Sequence, residues 1–349
     1  MIMNIDFKVS VRCMTYNQAA YIEDAMNGFC MQQTDFPFVC NVMDDASTDG
    51  EQEIIYKYLD SHFDLEENTL VKKDETDDYK LIFARHKKNK NCYFAVFFLK
   101  YNHYRSQETK NKKLTYFLRW ESNCDYIALC EGDDYWIDSN KLTDQVDFLD
   151  NNSDYGMVYG KCQYYFQNKC KLGKFFGGPN ETFVDLLTAN TIPTLTVLYR
   201  RNLAFRYETE VKEDKRKWRM GDYPMWLYYS KISKIKFCPN VVGIYRVLQN
   251  SASHYMDIVH QENFLENMYQ IKAFYCNKYD YHSYNIKNSL LIEYARIALQ
   301  YGDLDRFVKY TNSIENCPLR FKIIHNFCST RFIFPIICKL YNFRAYLPF

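Results

Sequence analysis

Two short apolar segments of this chain each end abruptly in a cluster of acidic residues. The first spans residues 36–43 and is followed by DDASTDG, and the second spans residues 126–130 and is followed by EGDDYW. Short apolar runs bounded by turn residues are typical of buried strands. Because ligands bind beyond the carboxyl ends of strands in open α/β sheets, this pattern predicts a crevice lined with carboxylates.

The segments around these clusters predict a βαβ unit. The opening FKVSVRC alternates apolar and polar residues, as a strand does. Apolar residues at helical spacing follow between Ile22 and Phe29, and the strand at 36–43 completes the unit. Thr48 and Glu51 have the spacing of a capping box, so a further helix is expected to begin there.

The rest of the chain predicts one α/β domain over residues 1–255 and a helical region over residues 256–349. Residues 60–120 indicate only two helices, around 93–104 and 114–121, and another helix is expected after EGDDYW. Extended segments are expected at 157–159, 194–199, 235–238 and 241–247. Only helical spacing follows residue 255.

Composition excludes several classes of protein. The 44 Lys and Arg residues balance 43 Asp and Glu residues, so nothing favours nucleic-acid binding. Thirteen cysteines without any CxxC pair argue for buried, reduced thiols rather than a zinc ribbon or a disulfide framework. Asp6 and Lys8 interrupt any signal peptide, and the longest apolar run, 93–99, is too short to span a bilayer. We therefore expect a cytoplasmic protein.

The C-terminal segment has an unusual charge pattern. Residues 316–349 contain no acidic residue but hold five basic ones among aromatics and isoleucines: Arg320, Lys322, Arg331, Lys339 and Arg344. This composition suits peripheral contact with an anionic membrane. An aromatic-rich helical cap on the domain would have the same composition, so both interpretations stay open.

The two acidic clusters favour a divalent cation. Carboxylates repel a diphosphate, so the predicted crevice can hold one only with a hard cation between them, and oxygen ligands suit Mg²⁺ or Mn²⁺. Adjacent carboxylates such as Asp133 and Asp134 also repel each other unless a cation neutralises them. The alternative is that both clusters only form turns and helix starts, as Asp does routinely.

Five segments carry a resemblance to a known family. They are VSVRCMTYNQAAYIEDAM, DDASTD, YIALCEGDDYW, NTIPTLTVLYRR and GDYPMWLYYSKISKIKFCPNVVGIYR, which together cover most of residues 7–250. With these segments the chain resembles the inverting family 2 glycosyltransferases of bacterial surface-polysaccharide synthesis. The resemblance implies the GT-A fold, an α/β architecture with a Rossmann-like mixed sheet flanked by helices, followed here by a C-terminal helical appendage.

The resemblance also implies roles for the two acidic clusters. The TYN segment of Thr15, Tyr16 and Asn17 would hold the nucleoside, with Tyr16 stacked on the base and Asp44 or Asp45 bound to the base edge. EGDDYW resembles the DxD motif, so Glu131, Asp133 and Asp134 would bind the metal and through it the donor diphosphate. Asp is commoner than Glu at the position of Glu131, and which carboxylate touches the metal stays open.

Three residues further along the chain complete the implied site. Asp222 aligns with the general base, although an Asp at a helix start also caps that helix. Arg246 would contact the diphosphate, and His254 would complete the metal site, although a lone histidine is more often structural. The implied reaction is a single displacement that inverts the anomeric carbon.

The implied activity is hexosyl transfer from a nucleoside-diphosphate sugar, with a UDP-sugar favoured, to a glycan or lipid-linked glycan acceptor. Two other classes of function remain. A noncatalytic nucleotide-sugar-binding protein is disfavoured because Asp133, Asp134 and Asp222 are all present. A metal-dependent nucleotidyl- or phosphoryl-transferase would call for a phosphate-cradling loop or an active-site lysine near the N-terminus, and the TYN segment offers neither.

Overall fold

The computed structural model describes residues 5–66, 72–104, 112–211, 218–248, 257–282, 285–327 and 333–346. These residues form two compact units. The first comprises the described parts of 1–211 and 228–247, and the second comprises the described parts of 212–227 and 248–349. The predicted domain boundary near residue 255 stays a prediction.

The first unit is built on one large mixed sheet. Its strands are β1 (Val9–Thr15), β2 (Phe38–Asp44), β3 (Lys72–Glu75), β4 (Tyr79–Arg85), β5 (Cys92–Leu99), β6 (Tyr126–Leu129), β7 (Tyr135–Trp136), β8 (Tyr155–Phe166), β9 (Lys171–Phe176), β10 (Leu198–Arg200) and β11 (Lys234–Val247). Its helices are α1 (Ile22–Cys30), α2 (Glu51–His62), α3 (Lys112–Glu121), α4 (Lys141–Asn151), α5 (Phe183–Thr188) and α6 (Arg201–Glu210). The helix α7 (Tyr223–Ile232) contributes residues to both units.

The strand order in the described sheet is β3-β4-β5-β2-β1-β6-β10-β8-β11-β7, with β9 paired to β8. The strands β5, β2, β1 and β6 run parallel to one another. The strand β10 is antiparallel to both β6 and β8, which makes the sheet mixed. The predicted α/β class is confirmed.

The central strands are buried on both faces, as parallel strands covered by helices are. All seven residues of β2 are buried, and their side chains alternate between two hydrophobic clusters. Phe38, Cys40 and Val42 pack with residues of α1 and α2, whereas Val39 and Met43 pack with residues of α3. The period of two along β2 therefore fixes which helices cover each face.

The predicted helix around residues 93–104 is wrong. Residues 92–99 form β5, which is parallel to β2 and antiparallel to β4. All eight residues of β5 are buried. A continuous apolar run carries no alternation, so periodicity alone cannot distinguish a buried strand from a buried helix. The other helix expected in this region, at 114–121, is confirmed as α3.

The predicted capping box at the start of α2 does not form. The residue before the helix is Gly50 with a φ of 92°, and no side chain caps the helix there. Glu51 instead accepts hydrogen bonds from the backbone N–H of Gln18 and the hydroxyl of Ser47, and its other oxygen accepts from the hydroxyl of Thr15. A tertiary contact thus replaces the local one.

The second unit is helical in its described part. It contains α8 (Ile258–Lys278), α9 (Ile286–Tyr301), α10 (Leu304–Ser313), α11 (Leu319–Phe327) and α12 (Phe334–Tyr346), which confirms the helices expected after residue 255. Its core includes Phe307, Phe321 and Phe334. Among the described residues no helix is both long and apolar enough to cross a bilayer. The twelve cysteines in the described ranges are all free thiols.

Candidate active site

The two acidic clusters lie on either side of the carboxyl end of β1. The neighbours of β1 in the sheet are β2 and β6, both parallel to it. The backbone N–H of Asp45 donates to the carbonyl of Thr15 at 3.0 Å, and that of Gly132 donates to the carbonyl of Met14 at 3.0 Å. The chain segments after β2 and β6 therefore meet at the end of β1.

Asn17 ties the loop after β1 to the turn after β2. It has a φ of 54°, a left-handed conformation that Asn tolerates better than most residues. Its N–H donates to the Ser47 hydroxyl at 2.9 Å, and its side-chain oxygen accepts from the N–H of Thr48 at 2.8 Å. These bonds hold the loop that carries the half-buried Tyr16.

Asp44 and Asp45 differ sharply in their surroundings. Both carboxylate oxygens of Asp45 are used within the fold. Oδ1 accepts from the backbone N–H of His103 at 2.7 Å, and Oδ2 accepts from that of Tyr104 at 3.2 Å and forms a buried ion pair with Lys113. Asp44 is fully buried, and burial raises its pKa. Its Oδ1 accepts from the N–H of Ser47 at 3.1 Å and from Gln52.

The second oxygen of Asp44 is the exceptional atom. Its Oδ2 is buried and has no hydrogen-bond partner among the described residues. A buried carboxylate oxygen without a donor is unfavourable, so native proteins rarely retain one. The two residues therefore differ in role: Asp45 stabilises the fold, and Asp44 offers an open acceptor oxygen.

Gln18 and Glu51 also line this edge, and sequence reasoning missed both. Burial raises the pKa of Glu51. A Cβ added to Gly132 would lie 2.5 Å from Oε1 of Gln18 and closer still to Thr15, so only glycine fits between Glu131 and Asp133. The glycine of EGDDYW was the signal for this close approach, since Gly marks sites where another chain segment approaches closely.

Asp133 and Asp134 form a carboxylate pair in which Asp134 is buried and Asp133 is half-buried. Burial raises the pKa of Asp134 well above its ordinary value, and the charge of Asp133 raises it further. Burial also raises the pKa of Asp133. Oδ1 of Asp134 accepts from the backbone N–H of Arg246 at 2.8 Å. Glu131, in contrast, is exposed.

The donor set at this edge fits a hard divalent cation. Within the described residues no group of three or more His, Cys, Asp or Glu side chains is arranged to hold a metal ion. Mg²⁺ does not need such a cage, because it is usually bound by one or two carboxylates together with waters and substrate phosphates. Asp133 and Asp134 supply two adjacent, desolvated carboxylates whose charges a cation would neutralise.

Arg246 is buried in β11 beside this pair. Its guanidinium donates to Oδ2 of Asp24 at 2.7 Å and lies 4.7 Å from the ring centre of Tyr21 and 5.1 Å from that of Tyr135. Its Nε is buried and has no hydrogen-bond partner in the described part of the chain. The structure thus brings Arg246 to Asp134, as the implied donor site requires.

Asp222 belongs to the second compact unit. It is half-buried directly before α7, its Oδ1 accepts from the N–H of Tyr223 at 2.7 Å, and its carbonyl accepts from the N–H of Trp226 at 3.1 Å. These bonds place it at the start of the helix. His254 lies outside the described residues.

Comparison with known proteins relates the chain to glycosyltransferases by fold. No family model matches the sequence. The structure of Staphylococcus aureus TarS 1–349 in complex with UDP-GlcNAc aligns with 97% of this chain and 89% of that chain at 17% identity and a TM-score of 0.52. The mannosyltransferase PcManGT from Pyrobaculum calidifontis, in complex with GDP-Man and Mn²⁺, aligns with 99% and 89% at 13% identity and a TM-score of 0.49.

A curated relative is closer in sequence. The uncharacterised protein Rv1520 of Mycobacterium tuberculosis is 30% identical over 200 residues, which is 56% of this chain and 48% of that protein. The chain therefore spans about half the length of the curated relatives it matches. The likeness to TarS, a glycosyltransferase, establishes that the α/β architecture with C-terminal helices is one that glycosyltransferases use.

Proposed function

We propose that the chain is a metal-dependent inverting glycosyltransferase of family 2 that moves a hexose from a nucleoside-diphosphate sugar to an acceptor hydroxyl. One observation carries the proposal. At one strand end, a buried acceptor oxygen on Asp44 and a carboxylate pair, the half-buried Asp133 and the buried Asp134, flank the end of β1. A nucleotide sugar offers complementary groups to both, an N–H on its base and a diphosphate that binds metal.

The open oxygen of Asp44 supports a base with an N–H at its edge. Uracil offers one such donor, its imino N–H, to one acceptor atom, which favours a UDP-sugar. Tyr16 is half-buried on the same loop and is proposed to stack on the base. Thr15 and Asn17 hold that loop through Glu51 and Ser47, so their proposed part is to shape the nucleoside site.

Asp133 and Asp134 are proposed to hold Mn²⁺ or Mg²⁺, with the exposed Glu131 as a further ligand or a ribose contact. When bound, the cation would stabilise the negative charge that develops on the departing nucleoside diphosphate. Arg246 is proposed to assist through its unsatisfied Nε, since a guanidinium suits a diphosphate oxygen. His254, which lies outside the described residues, is proposed as a further metal ligand.

Asp222 is proposed to accept the proton of the acceptor hydroxyl as the oxygen attacks the anomeric carbon. A single displacement of this kind inverts the configuration, and the diphosphate leaves without needing a protonated acid, unlike the leaving group in glycoside hydrolysis. The resemblance to family 2 supports surface glycan or lipid-linked oligosaccharide assembly at the cytoplasmic face of the membrane as the setting.

The test combines a donor panel with two variants. Hydrolysis or transfer from several UDP- and GDP-sugars is measured with Mn²⁺ and with EDTA. We expect one UDP-sugar to be consumed only with the metal. Asp222→Asn should lower turnover about 100-fold or more while leaving donor affinity nearly unchanged, because general-base catalysis contributes about 10²- to 10⁴-fold.

Asp133→Ala should abolish metal-dependent donor binding. The matched control is Asp154→Asn, which removes an exposed carboxylate 2.6 Å from Lys234 and should leave turnover unchanged. Normal turnover by Asp222→Asn would disprove the base assignment. Metal-dependent binding of a donor without turnover of any donor would instead favour the noncatalytic nucleotide-sugar-binding alternative.

A further inference from the structure

We propose that α11 and α12 carry a surface that docks onto an anionic lipid bilayer. Four large apolar side chains on these helices are exposed: Leu319 at 73%, Ile323 at 47%, Ile336 at 59% and Leu340 at 61%. Scattered exposed apolar residues are normal, but rows of them on one helix face mark an interaction site. This inference is independent of the proposed sugar transfer.

Each helix is apolar on two opposite sides. On α11, Phe321 is buried in the core, and Leu319 and Ile323 stand two positions before and after it. Two positions turn an α-helix by about 200°, so both exposed residues face away from Phe321. On α12 the same relation separates the buried Phe334 from the exposed Ile336.

The inner side alone anchors the helices to their unit. The rings of Phe321 and Phe334 each lie 5.8 Å from the ring of Phe307, measured between ring centres. Packing in the core therefore accounts for the inner apolar side of both helices. It does not account for Leu319, Ile323, Ile336 and Leu340, and a helical cap with a solvated outer face would have polar residues there.

The charges beside these rows identify the occupant. Lys322 on α11 and Lys339 on α12 are exposed, and Arg320 is exposed next to Leu319. Residues 316–349 contain no Asp or Glu to neutralise them. Lys and Arg beside an apolar stripe suit anionic headgroups, because the apolar residues enter the acyl boundary while the charged ends stay at the headgroup level.

The same charges disfavour a second copy of the chain as the occupant. Two such surfaces facing each other would bring cationic residues together, and like charges across an interface are unfavourable. An anionic bilayer offers the opposite charge together with an apolar layer. Each basic residue near such a surface strengthens binding, and salt weakens that part of it.

The experiment is vesicle flotation of the whole 349-residue chain. Vesicles are either pure phosphatidylcholine or phosphatidylcholine with phosphatidylglycerol. We expect binding to the anionic vesicles only, weakened at high salt. Point variants are preferable to removal of residues 316–349, because Phe321, Phe334 and Cys338 belong to the core of the unit and their loss would unfold it.

Two double variants test the two parts of the surface. Lys322→Glu with Lys339→Glu, and Ile323→Gln with Leu340→Gln, should each lower the vesicle partition coefficient about tenfold or more. Their matched controls alter equally exposed residues of the first unit: Lys57→Glu with Lys171→Glu, and Val184→Gln with Phe205→Gln. The controls should bind vesicles as the parent does.

Three results would overturn the proposal. The parent chain does not float with anionic vesicles, or both surface variants float as well as the parent, or light scattering finds a dimer that the apolar variant dissociates. Circular dichroism checks that each variant is folded. Since all eight side chains replaced on the two helices and in the controls are exposed, folding should be retained.

Discussion

Asp44 and Asp45 are adjacent and chemically identical, yet their environments differ: Asp45 is used within the fold, and Asp44 keeps an open acceptor oxygen. Asp45 is enclosed by two backbone donors and by Lys113, whereas one oxygen of Asp44 is buried without a donor. The sequence alone left open which of the two would meet the base. The choice depends on Lys113 and on the residues after β5, which are distant in sequence and cannot be read from the DDASTDG segment.

Asp44→Asn should weaken UDP binding about tenfold or more. The change can replace the open acceptor oxygen by an N–H₂ group, which cannot accept from the base, and loss of a hydrogen bond to a charged group costs about 1.5–3 kcal/mol. Isothermal titration of UDP in the presence of Mn²⁺ measures the change. Unaltered affinity in this variant would refute a base contact at Asp44.

Asp45→Asn is the matched comparison, and its expected effect is on stability. It removes the charge of one partner of the buried ion pair with Lys113, and breaking such a pair costs about 3–5 kcal/mol. Urea unfolding measures this loss. Where Asp45→Asn remains folded, its affinity for UDP should exceed that of Asp44→Asn. The reverse order of affinities would assign the base contact to Asp45 and the structural role to Asp44.

Among the elements, those with a clear period or a clear end signal were predictable and those fixed by tertiary pairing were not. β1 and α1 follow from alternation and helical spacing, whereas β2 and the strand before EGDDYW follow from short apolar runs that end in turn residues. β5 reads equally well as a helix because all its residues are apolar or buried. The edge strand β3 and its neighbour β4 carry charged and mixed sequences, and only the pairing of β4 with β3 and with β5 defines them.

The helix α4 begins with a buried lysine that sequence reasoning also overlooked. Nζ of Lys141 donates to Oε1 of Gln145 at 2.9 Å. It also lies 4.2 Å from the ring centre of Trp136, which follows Asp134 by two positions. Burial lowers its pKa to about 7 from the ordinary 10.5. The folded chain therefore binds fewer protons than the unfolded chain between these two values.

The free energy of unfolding should consequently rise with pH from about pH 7 towards pH 10 by up to about 1.4 kcal/mol per pH unit from this residue. Below pH 7 both states hold the proton, so this contribution to the slope vanishes. Lys141→Met should lack the rise. Urea titrations at pH 7, 8 and 9 compare it with the parent chain, and Lys57→Met, at an exposed site of α2, serves as control.

A constant difference between the parent and Lys141→Met across this range would contradict a lowered pKa. The comparison of the two chains is needed because other groups also titrate between pH 7 and pH 9. Their contribution is common to both chains and cancels.

At the scale of the whole molecule, the carboxylates of the candidate site lower the stability of the fold and provide ligands for the proposed cation. Asp134 is buried and Asp133 half-buried, and desolvation raises the pKa of both, so keeping both ionised near neutral pH destabilises the folded chain when no cation is present. Active sites commonly carry such groups, and replacing them often raises stability while removing function. The proposed cation and donor would recover this stability by binding only to the folded state.

Asp134→Asn should therefore unfold at a higher temperature than the parent chain in EDTA at pH 8, because it removes a buried charge and retains an acceptor for the N–H of Arg246. Mn²⁺ with UDP should stabilise the parent by about 2.7 kcal/mol at a hundred times the dissociation constant. It should stabilise Asp134→Asn far less. Thermal unfolding with each ligand alone and with both separates the contributions, and equal stabilisation of both chains by Mn²⁺ would exclude Asp134 as a metal ligand. Since a ligand that binds only the folded state must raise its stability, a parent chain that Mn²⁺ does not stabilise, with or without UDP, would leave the acidic edge without the cation on which the proposed reaction depends.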